Sequence, residues 1–151
     1  MPLVRVIAHG AVRGEGTSRS YLPIEFPAVP DFALTRAAET AALATGRPVR
    51  TGIFDTQDGF YTEMMRRDDA AGQAEIIDRQ RTQRLVGSDM ETSAVFVVAS
   101  SLGIAAASMC LASVDGTDYS KLDDAPRRAA ELDLLKAGLD ALSMPQPGSS
   151  H

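Results

Sequence analysis

The stretch Glu91-Thr92-Ser93-Ala94-Val95-Phe96-Val97-Val98-Ala99-Ser100-Ser101-Leu102-Gly103, continued by an apolar run over residues 105–114, decides the fold class. Its first part is rich in Ala, Val and Ser and long enough for a helix, and Gly103 supplies the stop. The run that follows, ending at Val114, reads as a buried strand. Helix, glycine stop and strand make the αβ half of a βαβ unit and point to an α/β fold.

The rest of the chain agrees with that class. Residues 4–8 and 11–12 read as strand, interrupted by His9-Gly10 and ended by the Gly14-Glu15-Gly16 turn. Pro23, Pro27 and Pro30 punctuate a loop that leads to a helix. There Asp31 is the expected N-cap, Phe32, Leu34, Ala38, Ala41, Ala42 and Leu43 the apolar side, and Gly46 the stop. Residues 49–54 read as a short strand ending in a loop that carries Asp58, Phe60 and Tyr61. Residues 68–84 are polar and helical at best, with a flexible start at Ala70-Ala71-Gly72. The last helix is expected from about Pro126. Ala129, Leu132, Leu135, Leu139 and Leu142 follow a three-and-four spacing as its core face, and Arg127, Arg128, Glu131, Lys136 and Asp140 mostly take the other side. A single domain over residues 1–144 is expected, with residues 145–151 as a fraying tail.

Composition excludes several function classes. A net charge of -5 argues against a nucleic-acid surface. Arg79, Arg81 and Arg84 alternate with Gln80, Thr82 and Gln83 near Glu75 and Asp78, so they read as a solvated helix face. No apolar run is long enough to cross a membrane, and the first residues do not begin a signal segment, so a cytoplasmic protein is expected. With only His9 and His151, a His-rich metal site is excluded. The lone Cys110, inside an apolar run, reads as a reduced thiol with nothing nearby to activate it.

Three stretches, read together, resemble the uridine phosphorylase branch of the nucleoside phosphorylase family. The first is Ala11-Val12-Arg13 with the Gly14-Glu15-Gly16 turn, then Glu25-Phe26-Pro27-Ala28-Val29 and Asp31-Phe32. The second is Thr51-Gly52-Ile53 with Asp58-Gly59-Phe60-Tyr61. The third is Asp89-Met90-Glu91 heading the small-residue helix that ends at Leu102-Gly103. The resemblance runs from about residue 4 to 115 and implies an incomplete nucleoside-phosphorylase-like fold, a mixed central sheet flanked by helices. It implies phosphorolysis of nucleosides to free base and ribose 1-phosphate, with phosphate as co-substrate and no cofactor. It also implies a homo-oligomer, dimer or hexamer.

Roles follow from the same resemblance. Cleaving a ribosyl C–N bond builds positive charge on the sugar. Glu91 stands where the family places a carboxylate for the ribose 2′ and 3′ hydroxyls, and Met90 beside it would give an apolar surface against the sugar. Without the resemblance, Glu91 reads as an acidic residue in a helix's first turn, favoured by the dipole by about 0.3–1 kcal/mol. Phe60 matches the aromatic that stacks on the base, while Tyr61 beside it is expected to pack. Arg66 falls where uridine-specific members place an arginine for the pyrimidine carbonyl, and it otherwise reads as a surface arginine. The glutamine expected two residues before it is Met64, which cannot read the uracil edge. Asp115 stands where purine-accepting relatives protonate the departing base, and it also reads as a turn-forming Asp-Gly. Both departures point away from strict uracil selection.

The family's phosphate site uses elements that lie before this region, so no phosphate ligand carries over, and Arg5 and Arg13 are not substitutes. A phosphorylase inactive as this shortened chain, a non-catalytic nucleoside-binding protein or subunit, and a hydrolytic nucleosidase all remain open.

Overall fold

The computed structural model describes residues 4–66 and 68–145. Its elements are β1 (Arg5–Gly14), a 3-10 turn (Thr17–Ser20), α1 (Phe32–Ala44), β2 (Val49–Gln57), a π-helical turn (Phe60–Met64), α2 (Ala70–Thr82), β3 (Leu85–Asp89), α3 (Thr92–Leu102), β4 (Met109–Leu111) and α4 (Asp124–Ser143). The four strands form one mixed sheet in the order β3-β2-β1-β4. β1, β2 and β3 are parallel, and β4 is antiparallel to β1. The expected α/β class and mixed sheet are present.

The first strand passes straight through the expected break. His9 is the exposed extra residue of a bulge between Ala8 and Gly10 in the β1–β2 register. A bulge of one residue changes which face the following side chains meet. Val6 and Ala8 before it and Ala11 after it therefore all join one core with Phe54, Phe96 and Val97, which packs α3 on the sheet. The other face carries Arg5, paired with Asp133 of α4, and Asp55, paired with Arg79 of α2. Burial on both faces explains why Arg5, Val6, Ile7 and Ala8 are all buried instead of alternating.

α1 forms as its signals predict. Asp31 accepts from the Leu34 backbone N–H at 2.8 Å, and Gly46 ends the segment at φ +69. Ala37, Ala38 and Ala41 pack on Ala137 and Ala141 of α4, small side chains that let the two helices approach closely. Phe32 and Leu43, expected on the core side, are exposed. α2 begins in an ordered cap rather than a flexible start, with the Asp69 carboxylate accepting from Gly72 N–H.

Three other expectations are corrected. The buried strand over 105–114 shortens to the half-buried β4, antiparallel to β1, so α3 does not lead into a parallel βαβ crossover. The parallel crossovers are β1-α1-β2 and β2-α2-β3, and β3 is a strand that the Gly87-containing sequence does not announce. In α4 the buried residues are Ala130, Ala137 and Ala141, whereas Leu132, Leu135, Leu139 and Leu142 are 58–68% exposed. The leucine stripe is regular, yet the helix packs through its alanines. Of the expected tail, residues 146–151 lie outside the described residues.

Candidate active site

β1, β2 and β3 end together. Gly14 pairs with Gln57, and Thr56 with Asp89, so the carboxyl ends of three parallel strands share one edge. In open α/β sheets that edge is where ligands bind. The three stretches singled out above leave the sheet there. Gly16 N–H donates to the Asp58 carboxylate at 2.9 Å, joining the first turn to the second. Glu15 joins the first to the third, accepting from Ser18 N–H at 2.8 Å and from the Ser93 hydroxyl at 2.7 Å. Glu15 is only 2% exposed. Burial alone would push its carboxyl up, but hydrogen bonds from Ser18, Ser93 and Thr17 outweigh it and hold the group below the usual glutamate range.

Met90 and Glu91 emerge between β3 and α3, both exposed. The Glu91 carboxylate accepts from its neighbour's N–H, that of Met90, at 3.1 Å. Behind it, Asp89 accepts from the Thr56 hydroxyl at 2.9 Å and from the Thr92 N–H at 3.3 Å and hydroxyl. The Thr92 hydroxyl lies 2.8 Å from that of Ser108, just before β4. Cys110, half-buried on β4, has its thiol pushed up by burial first, against a lowering bond from Ser108, and then by the charges of Asp89 and Glu91. A thiol so placed is a poor nucleophile.

Phe60 begins the π-helical turn after β2, half-buried, with Tyr61 meeting its ring edge-on at 5.0 Å. Tyr61, expected to pack, is 78% exposed. Arg66 pairs with Asp69 at 2.5 Å, and both line an open cavity of about 430 Å³ with Tyr61, Thr62, Met65 and Asp68. A second group forms around Gln73, a buried α2 residue. Its carbonyl accepts from Arg66 N–H at 2.7 Å and its amide donates to the Gly116 carbonyl at 2.9 Å. The segments carrying Arg66 and Asp115 are thus tied together. Asp115 closes its own turn, accepting from the Thr117 amide at 2.8 Å and hydroxyl at 2.5 Å. Those two bonds, the hydroxyl's first, hold it below the usual aspartate range.

Arginines near the strand ends are engaged internally. Arg13 donates to the Ser18 hydroxyl and to the carbonyls of Leu22, Pro23 and Phe26, which folds the proline loop around it. Arg79, expected on a solvated face, instead meets the carboxylate of Asp55, which is 1% exposed and also held by Gln57 at 2.7 Å. A carboxylate buried on β2 requires a cation, and α2 brings one. Among the described residues no group of three or more His, Cys, Asp or Glu side chains is placed to hold a metal ion, and no helix is long and apolar enough to cross a membrane. Sequence reasoning missed Glu15, Thr56 and Gln73. The sign available for Glu15 was a carboxylate between two glycines at a strand end.

Residues 5–137 match the model of the phosphorylase superfamily. The chain is 36% identical over 103 residues to a uridine phosphorylase of Treponema pallidum, spanning 63% of this chain and 38% of that protein. It is 32% identical over 111 residues to a guanosine phosphorylase of Halorubrum lacusprofundi, spanning 74% and 42%. The fold is similar to the crystal structure of AMP nucleosidase from Bacteroides thetaiotaomicron, with a TM-score of 0.64 and 27% identity, over 92% of this chain and 51% of that one. The matched region is therefore about two-fifths of the curated relatives' length. With a family match over most of its residues and the expected mixed sheet, the chain belongs to the phosphorylase superfamily.

Proposed function

We propose that this chain carries the nucleoside-facing half of a site that cleaves the N-glycosidic bond of nucleosides with phosphate, giving free base and ribose 1-phosphate. The observation that carries the reading is the exposed Glu91 carboxylate at the head of α3, on the carboxyl edge of three parallel strands. A carboxylate there accepts from the ribose 2′ and 3′ hydroxyls, fixing the sugar and stabilising the positive charge that develops as the C–N bond breaks. Met90 gives the sugar an apolar wall, and the Phe60 ring gives the base a face to stack on.

Base recognition is broad in this reading. Met64 has no amide, and Arg66 shares its guanidinium with Asp69. Asp115 is held ionised by Thr117, so to protonate a departing purine it must first take up a proton from solvent. Phosphate falls to residues outside this set, since Arg13, Arg66 and Arg79 already have partners.

The AMP nucleosidase likeness favours one second reading, hydrolysis of a nucleoside or nucleotide by water. The assay that separates the two is release of free base from uridine and inosine, with and without phosphate, beside calorimetric binding of both nucleosides. The expected result is binding of both, with little cleavage by these residues alone. Glu91→Ala is expected to weaken binding by about 1.5–3 kcal/mol, the worth of hydrogen bonds to a charged acceptor. Unchanged affinity in that variant would remove Glu91 from the site. Robust phosphate-dependent turnover would place phosphate within this chain, and turnover without phosphate would establish the hydrolytic reading.

A further inference from the structure

α3 begins with a residue that does not cap it. N-cap positions favour Ser, Thr, Asp and Asn, whose short side chains reach back to the first free N–H groups. α1 and α2 follow this rule with Asp31 and Asp69, each accepting from an N–H three residues on. At α3 the N-cap is Glu91, at φ -126 and ψ -37, with no side-chain cap bond. Two of its free N–H groups are satisfied from elsewhere. Thr92 N–H goes to Asp89 on β3, and Ser93 N–H goes to the Thr56 hydroxyl on β2 at 3.1 Å. Thr56 and Asp89 are paired neighbours in the sheet and bonded to each other, so the cap is built on two parallel strands rather than on the helix.

We infer that Asp89 is a positioning residue for nucleoside binding, fixing the β3–α3 junction so that Glu91 is released from capping and its carboxylate faces the ribose hydroxyls. The inference rests on the function proposed above. Asp89 acts within the protein in this arrangement, its two carboxylate oxygens accepting three bonds from Thr56 and Thr92. Its effect passes through the backbone of Met90 and Glu91, which lies between it and Thr92. Displacing a binding group by about 1 Å is enough to forfeit much of its interaction.

The test is the discrimination between uridine and 2′-deoxyuridine, which reads the sugar contact and not general stability. Affinities are measured by calorimetry for the wild type, Asp89→Ala, Asp89→Asn and Glu91→Ala, well below each melting temperature, with circular dichroism reporting the fold. The wild type is expected to favour uridine, and Glu91→Ala to abolish the preference. Asp89→Ala is expected to lose about tenfold in uridine affinity with a smaller loss for 2′-deoxyuridine. Asp89→Asn keeps one acceptor oxygen and should retain part of the preference, and it is the variant read if Asp89→Ala does not fold. A preference unchanged in both Asp89 variants, or equal losses for both nucleosides, would overturn the positioning role while leaving the proposed function standing. Failure of the wild type to bind either nucleoside would overturn the proposed function, and this inference with it.

Discussion

At the scale of single residues, the buried carboxylates hold the fold, whereas Glu91, the carboxylate proposed to meet a ligand, is exposed. Glu15 holds the fold, because its two oxygens join the turn after β1 to the first turn of α3. Its lowered pKa makes that role depend on pH in a definite direction. A carboxyl whose folded pKa lies below its unfolded value contributes stability above the unfolded value, 4.5, and loses it as pH falls through the folded one. Glu15→Gln replaces one acceptor by an NH2 group facing buried donors, and it is expected to cost about 1–3 kcal/mol at pH 7. Because only the wild type has this charge to lose, the gap between the two proteins should narrow as pH falls below about 4.5. Denaturant unfolding of both proteins at pH 7 and at pH 3.5 checks this, and a gap that widens on acidification would contradict the assignment.

At the scale of elements, α4 shows how a charged anchor and an alanine seam together fix a helix. Arg5, buried on β1, faces Asp133 of α4 at 3.6 Å, and Arg47 meets the same carboxylate at 3.0 Å. Burial first, and then the charge of Arg47, lower the Arg5 pKa, while Asp133 opposes them. Removing the shared anion leaves a buried guanidinium beside a second cation, so Asp133→Ala is expected to cost about 3 kcal/mol or more. In an Arg5→Met background the same change should cost less than about 1 kcal/mol, and urea unfolding of the four proteins gives the cycle. Equal costs in both backgrounds would show that the pair does not act as one. The same helix marks the limit of what could be read from sequence. Capped or glycine-stopped elements, α1 and α3, were legible because their signals are local. So was the place of Asp89-Met90-Glu91 at the head of α3, because that motif is contiguous. Which face of α4 packs was not legible, because an alanine face and a leucine face with similar periodicity are distinguished only by the neighbour that the helix meets. Arg79 was misread for the same reason, since its partner Asp55 lies on a strand 24 residues earlier. Gln73 joins Arg66, 7 residues before it, to Gly116, 43 residues after it, a link no local pattern announces.

At the scale of the whole molecule, the largest unexplained feature is the apolar surface on α4. Leu132, Leu135, Leu139 and Leu142 stand exposed, and the last three line an open groove of about 480 Å³ with Leu34, Met109 and Leu134. Contiguous apolar surface of this kind marks an interaction site more often than a bare monomer face. The leucines repeat at three, four and three residues, the spacing of a two-helix seam, in which each would take an alternating inward position. A parallel pairing of two copies would also set Glu131, on one flank of that stripe, against the partner subunit's Lys136 on the other, whereas an antiparallel pairing would not match these charges. We therefore expect a homodimer or larger assembly held through α4. Each leucine buried there contributes about 1.5–3 kcal/mol of transfer free energy, against the cost of association. Light scattering at micromolar concentration should show more than one copy, and Leu135→Glu with Leu139→Glu should give a monomer with an unchanged circular dichroism spectrum, since neither side chain is in the core. A charge reversal tests the orientation: Lys136→Glu should weaken the assembly by opposing Glu131 across the seam, and adding Glu131→Lys should restore it. A wild type that is a monodisperse monomer, or an assembly indifferent to the paired glutamates, would show that the leucine stripe is not where copies of this chain meet.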